Sequence, residues 1–395
     1  MASTTPTSRP ATSSNSNGDI GIRPALGPGP DGSVTAGRRR LRRAARDIGI
    51  QIGAFVLSML FFLVLLVLLG YDAGQALGAL WDGSAGTTRA LGVSLSEATP
   101  VILTGVAVWL AAQGGLFNIG ADGQLQIGGL AALVCVMLLG LPENGAVLVP
   151  VGLLAAALAG AGWAAIAALL KTYRGANEIV STLMLNFIAA IAISELIRGP
   201  LQSETNPYTP QTESIPVAAQ LPTLVDGTQL TWGIVIALAV AAVVLLVVTR
   251  ARSGLRLRAI GLNREAARYS GVSVPRYWLV AMVASGALCG LAGGLVLLGL
   301  RYYIAPGWAS AWGFQGVLVA FLAMRTPFLI PVWGVLFGML SSAGPVLKGT
   351  ASVPDSVVTM MQTLPVVVLF VLYAAARWLR GERLASIFRR GEAPA

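Results

Sequence analysis

Ten apolar runs, each bounded by glycine, proline or charged residues, constrain this 395-residue chain more than any other feature. They fall at about 48–70, 91–112, 125–141, 146–170, 179–197, 232–249, 277–300, 314–324, 331–343 and 357–379. A helix needs roughly 20 apolar residues to cross the hydrocarbon of a bilayer, and most of these runs have them. Backbone groups in hydrocarbon must bond within their own segment, and these runs lack the alternation of a barrel strand. The fold class is therefore all-α, a polytopic membrane protein with about ten transmembrane helices. The eighth and ninth runs are short and interrupted by Pro327 and Pro331, so they read as half-helices or a re-entrant pair.

Charge placement orients these spans. The chain carries 27 Lys and Arg against 17 Asp and Glu, a net charge of +10. The cations gather at the ends of apolar runs, where they orient a chain in a membrane, so nucleic acid is not expected as a partner. With the N-terminus inside, Lys171, Arg174, the 250–276 loop, Arg325 and the arginines of the C-terminal tail all fall on the cytoplasmic side. The 250–276 loop has seven arginines against one acid, Glu265. The polar segment 198–231, with Glu204, Glu213 and Asp226, falls outside.

This gives a domain plan. Residues 1–37, rich in Ser, Thr, Pro, Gly and Asn, are expected to be a disordered cytoplasmic tail. Residues 38–47 are a basic juxtamembrane segment, 48–380 the transmembrane domain, and 381–395 a second cytoplasmic tail. Within the domain, 198–231 is an extracytoplasmic loop and 250–276 a cytoplasmic one. Both termini are thus expected in the cytoplasm of a cell whose plasma (inner) membrane holds the chain.

Chemistry is narrowed by what is missing. The sequence has no histidine, which removes Ser-His-Asp catalysis and the usual zinc sites; no metal ligand set is read. Cys135 and Cys289 both lie in apolar runs and read as packing residues. No Gly-x-x-x-x-Gly-Lys-[Ser/Thr] stretch occurs, so the chain has no phosphate loop for ATP.

Gly114–Gln124, Gly-Gly-Leu-Phe-Asn-Ile-Gly-Ala-Asp-Gly-Gln, interrupts two apolar runs with four glycines and three polar side chains. It reads either as a cytoplasmic turn or as irregular backbone lining a wet cavity, with Gly120 a candidate for positive φ. In the basic loop, Asn263 to Gly271 reads as a short helix capped by Asn263, with Glu265 in its first turn and Gly271 as the left-handed stop. On physics alone it is a docking peg or an ordinary surface helix.

Three motifs in order, Gly114–Gln124, Arg174-Gly-Ala-Asn-Glu-Ile-Val-Ser-Thr-Leu-Met-Leu-Asn186 and Arg258-Ala-Ile-Gly-Leu-Asn-Arg-Glu-Ala-Ala-Arg-Tyr-Ser-Gly271, resemble permease subunits of bacterial ABC importers. The resemblance is to the branched-chain amino acid, ribose and nucleoside branch, above all to nucleoside permeases that work with basic-membrane-protein-type lipoproteins. It implies a coupling helix for a partner ATPase at Gly261, Asn263, Glu265, Ala266, Ala267 and Gly271. It also implies a second permease subunit, a substrate-binding lipoprotein and surrounding membrane lipid as partners, with ATP and Mg held by the ATPase and no cofactor in this chain. Gln315, in Trp-Gly-Phe-Gln-Gly, stands where such permeases often carry Asp.

Polar and aromatic residues inside spans are costly and mark candidate substrate contacts. They are Glu97, Phe117, Asn118, Asp122, Gln124, Asn177, Asn186, Phe314 and Gln315, with Ser94 and Thr99 beside Glu97. Amides bond base edges and ribose hydroxyls, and rings stack on bases, which suits a nucleoside. A sugar permease is the alternative, and an ion-coupled transporter built on Glu97, Asp122 and Glu195 a more distant one.

Overall fold

The computed structural model describes residues 30–378 apart from 139, 141 and 310. Contacts divide the chain into one unit ending at Arg46 and a second from Asp47. Of the first, the described part is the start of helix α1 (Pro30–Leu68). The expected disordered tail is therefore helix over 30–37: Pro30 suits a first helical turn, where its missing N–H has no partner to lose. Residues 1–29 and the tail from 379 lie outside the described residues.

Among the described residues, eight helices are long and apolar enough to cross a membrane, and two further apolar helices are shorter. After α1 comes α2 (Ala73–Ser84), which the sequence reading did not anticipate. Asp72 caps it by accepting from the Gly74 and Gln75 amides at 2.7 and 3.1 Å. Its Ala76 and Ala79 are buried with Leu340 and Leu347. Next follow α3 (Thr88–Gln113), α4 (Ala121–Leu138), α5 (Gly145–Arg174), α6 (Glu178–Arg198) and α7 (Gly233–Arg250). Two short helices, α8 (Arg252–Leu262) and α9 (Arg264–Tyr269), fill the basic loop. The chain then returns through α10 (Val274–Val296), α11 (Trp312–Leu322), α12 (Ile330–Ala351) and α13 (Asp355–Trp378).

The eighth apolar run forms α11, a short helix as expected, but the ninth is not short. Pro331 sits in the first turn of α12, where proline is tolerated, and the helix runs on through Pro345 for 22 residues.

Small residues hold the core together. A Cβ on Gly290 of α10 would strike the Ala156 carbonyl of α5 and stand 2.9 Å from Gly160 Cα. A Cβ on Gly128 of α4 would in turn strike Gly290. Where lipid removes the hydrophobic drive between helices, such close backbone approach is the main source of association. α3 is the most enclosed span, buried almost throughout from Ala98 to Ala111.

The polar segment after α6 is an ordered cap at the end of the bundle opposite the basic loop. The Thr212, Ile215 and Leu221 amides donate to the carbonyls of Ile304, Tyr302 and Leu298 at 2.9, 2.9 and 2.7 Å. Glu213 ties it locally. One carboxylate oxygen accepts from the Thr205 hydroxyl at 2.5 Å, the Thr205 amide at 3.0 Å and the Ser203 hydroxyl at 2.7 Å. These bonds, the Thr205 hydroxyl first, hold its pKa down at about 2.

Candidate functional site

α3 ends at Gly114, and Gly115, at φ +74°, turns the chain back into the bundle. The break is a turn at the basic end, then four residues of irregular backbone packed inside the bundle before α4. Leu116 is buried among Ala111, Ala164, Ala168 and Met282. Asn118 is wholly buried, and both ends of its amide are used. Its Nδ2 donates to Ser285 Oγ and Gln124 Oε1, each at 2.9 Å, and its Oδ1 accepts from the Gly120 amide at 3.0 Å and Gln124 Nε2 at 3.1 Å. Asn186 of α6 donates to the Ile119 carbonyl at 2.9 Å and accepts from the Gly123 amide at 2.8 Å. Irregular backbone at this depth is stable because these side chains satisfy it. Asn118, Gln124 and Asn186 thus serve the break itself.

Gly120 does not have positive φ. Its constraint is space: a Cβ there would lie 3.0 Å from Thr182 Cβ and 3.1 Å from the Thr182 carbonyl oxygen.

Two helix starts converge on Asp122. It lies in the first turn of α4, and its Oδ1 accepts from the amide of Gly313, in the first turn of α11, at 3.3 Å. A carboxylate is favoured at both positive helix ends. Gln126 Nε2 donates to the other oxygen at 2.8 Å. Toward the opposite end, Trp312 Nε1 donates to Glu97 Oε2 at 2.7 Å. Arg301 lies 3.6 Å from Glu97 Oε1, with its guanidinium 5.3 Å from the centre of the Trp312 ring. Gln315 ties three helices, donating to Ser341 Oγ of α12 at 3.1 Å and Gln362 Oε1 of α13 at 2.9 Å.

Beside this polar group lies an open aromatic face. Phe117 and Phe314 are each 40% exposed. Phe117 stacks on Phe321 with centroids 6.3 Å apart, and Phe321 meets Phe370 edge-on at 5.9 Å. Phe314 and Phe321, seven residues apart, share one side of α11. Asn177 stands apart from this group: it caps α6, accepting from the Ile179 amide at 2.9 Å, beside the Lys171–Glu178 ion pair at 2.8 Å.

The sequence reading missed Gln126 and Arg301. Gln126 was findable as a polar residue one helical turn after Asp122. Arg301 was findable as an arginine at the wrong end of an apolar run.

At the basic end the short helix has the expected caps. Asn263 Oδ1 accepts from the Ala266 amide at 3.0 Å, and Gly271 has φ +78°. Glu265 and Tyr269 are exposed, whereas Ala267 is buried against Ile260 and Val274 of its own chain. The corner between α8 and α9 rests on the break: a Cβ on Gly261 would strike the Gln113 carbonyl, and one on Gly114 would lie 2.7 Å from Leu257 Cδ1. Trp278 joins them. Its Nε1 donates to the Gly114 carbonyl at 3.0 Å, with Lys171 Nζ and the Arg264 guanidinium 5.6 and 5.7 Å from its ring centre.

Known proteins with this pattern are transport subunits. Residues 91–376 match the model of the family described as the permease component of branched-chain amino acid transport systems. The chain is 31% identical over 334 residues to the guanosine ABC transporter permease protein NupP of Bacillus subtilis, covering 83% of this chain and 94% of that one. It is 33% identical over 344 residues to the glucose ABC transporter permease protein TsgB13 of Haloferax volcanii, covering 84% and 89%. A second guanosine permease of B. subtilis, NupQ, is 27% identical over 226 residues, 56% and 70% of the two chains. An all-helical chain with eight helices able to cross a membrane among the described residues, and with this match over most of its length, belongs to that permease family and is a multi-pass membrane subunit of an ABC transporter.

Proposed function

We propose that the chain forms one half of the path of a nucleoside importer. The observation that carries this reading is the pairing of an open aromatic face, Phe117, Phe314 and Phe321, with the Asp122–Gln126 and Glu97–Arg301 groups. Rings stack on a base, while a carboxylate and an amide bond its edge and the ribose hydroxyls. Similarity to a guanosine permease over nearly its full length supports the same substrate class.

In this reading a separate subunit binds ATP and Mg and hydrolyses ATP, and it docks on the exposed side of α9 around Asn263, Glu265 and Ala266. Ala267 and Gly271 shape that helix from within. A second, related permease completes the path on the Phe117–Phe314 face, as two guanosine permeases in one bacterium suggest. A substrate-binding lipoprotein delivers the solute to the ordered 198–231 cap. The basic end is cytoplasmic by its arginines, which puts both termini in the cytoplasm.

A sugar is the second reading, favoured by the similarity to a glucose permease. The two separate in one experiment: uptake of labelled guanosine by the reconstituted importer, challenged with unlabelled nucleosides, ribose or glucose. Competition by nucleosides alone supports the proposal, and competition by glucose alone replaces it with the sugar reading.

A further inference from the structure

We propose that the groove between the basic-end halves of α7 and α10 binds an anionic phospholipid, with an acyl chain in the groove and the phosphate on Arg252 and Arg256. This site is separate from the solute path and does not rest on the nucleoside reading.

The groove has a volume of about 240 Å³, and its walls include Val243, Val247, Leu257, Tyr277 and Val280. Almost all of that surface is hydrocarbon, so water gains no partners there, and no side chain of the protein fills it. Val243, Val247 and Val280 are exposed, on helices long and apolar enough to cross a membrane. An acyl chain is the hydrocarbon available at that depth.

Helix α8 crosses the end of the groove, contributing Ser253, Gly254 and Leu257. Arg252 and Arg256, one helical turn apart, are exposed on the helix whose Ser253, Gly254 and Leu257 line the groove. Among the described residues neither has a carboxylate within ion-pair distance, and the one acid of the loop, Glu265, lies by Arg264 at 3.8 Å. Two guanidiniums on the helix that closes one end of an apolar slot match a phosphate joined to a chain, the long arginine side chains reaching round α8 to it. Leu257 lines the slot on one side and touches Gly114 on the other. A bound lipid therefore braces the contact between α8 and the break.

The test uses the purified full chain, carried from lipid into detergent and read by native mass spectrometry for retained phosphatidylglycerol against phosphatidylcholine. Two arginines at a membrane surface correspond to a preference of roughly tenfold to thirtyfold for the anionic lipid. Arg252→Gln with Arg256→Gln should bring the two lipids to parity while leaving total retention near wild type. Val280→Trp, which fills the slot, should reduce retention of both. Both sites are exposed, and if the tryptophan variant misfolds the glutamine pair still decides. Wild-type preference in the glutamine variant overturns the proposal, as does a second copy of the chain occupying the slot in place of lipid.

Discussion

The indole N–H of Trp278 donates to the carbonyl of Gly114 at 3.0 Å, joining α10 to the turn that ends α3. The same ring lies within cation–π reach of both Lys171 of α5 and Arg264 of α9. One residue thus touches the exposed basic helix and the break that runs on to Asp122 eight residues later.

Trp278→Phe keeps a ring beside the two cations but leaves the Gly114 carbonyl without its donor. The loss is about 0.5–1.5 kcal/mol, too little to unfold the bundle. Solute transported per ATP hydrolysed should fall while ATPase binding persists. Unchanged stoichiometry in proteoliposomes would show that the contact serves folding alone.

Asn118→Ala removes a saturated amide from a buried network. Thermal unfolding should register a loss on the order of 1–3 kcal/mol, with solute affinity of the folded fraction unchanged. Weakened affinity at wild-type stability would instead place Asn118 in the substrate site.

The 198–231 cap offers a pH test. Bonds from Thr205 and Ser203 hold Glu213 at about 2, below its ordinary 4.5. A depressed folded pKa contributes stability above the unfolded value and loses it as pH falls through the folded one. The Glu213 carboxyl, followed by selective carbon-13 labelling, should titrate near pH 2, and Thr205→Val should move the midpoint toward 4.5. A wild-type midpoint near 4.5 would mean that the local bonds do not persist in solution.

Docking of the ATPase should depend on Glu265 and Tyr269, which are exposed. Glu265→Lys should lower ATPase binding in a pull-down by roughly tenfold or more, as charge reversal in a desolvated interface costs on the order of 2–5 kcal/mol. Ala267→Arg is no test of docking, because Ala267 is packed inside its own chain. Wild-type binding by the Glu265→Lys variant would move the docking site elsewhere.

Length and apolarity made the long apolar helices legible, since the bilayer imposes those terms on any sequence. α2 was not legible because Gly and Ala dilute its apolar signal, and its buried side packs mainly on α12. Pro331 misled because proline breaks a helix interior but suits a first turn, and only the register of α12 distinguishes the two. The caps at Asn263 and Gly271 were readable because capping is local. Asn118 and Asn186 looked like substrate contacts, for buried amides carry the same signal whether they bind solute or backbone. Arg301 pairs with a residue 204 positions away, a relation no local pattern encodes.

The central claim is that a nucleobase stacks on the Phe117–Phe314 face. Its most direct measurement is guanosine uptake by the reconstituted importer carrying Phe117→Leu, which keeps apolar volume and removes the ring. Stacking on an aromatic side chain is worth about 1–3 kcal/mol per base, so KM should rise roughly tenfold or more while ATPase binding is unchanged. A wild-type KM for guanosine in that variant would contradict the account.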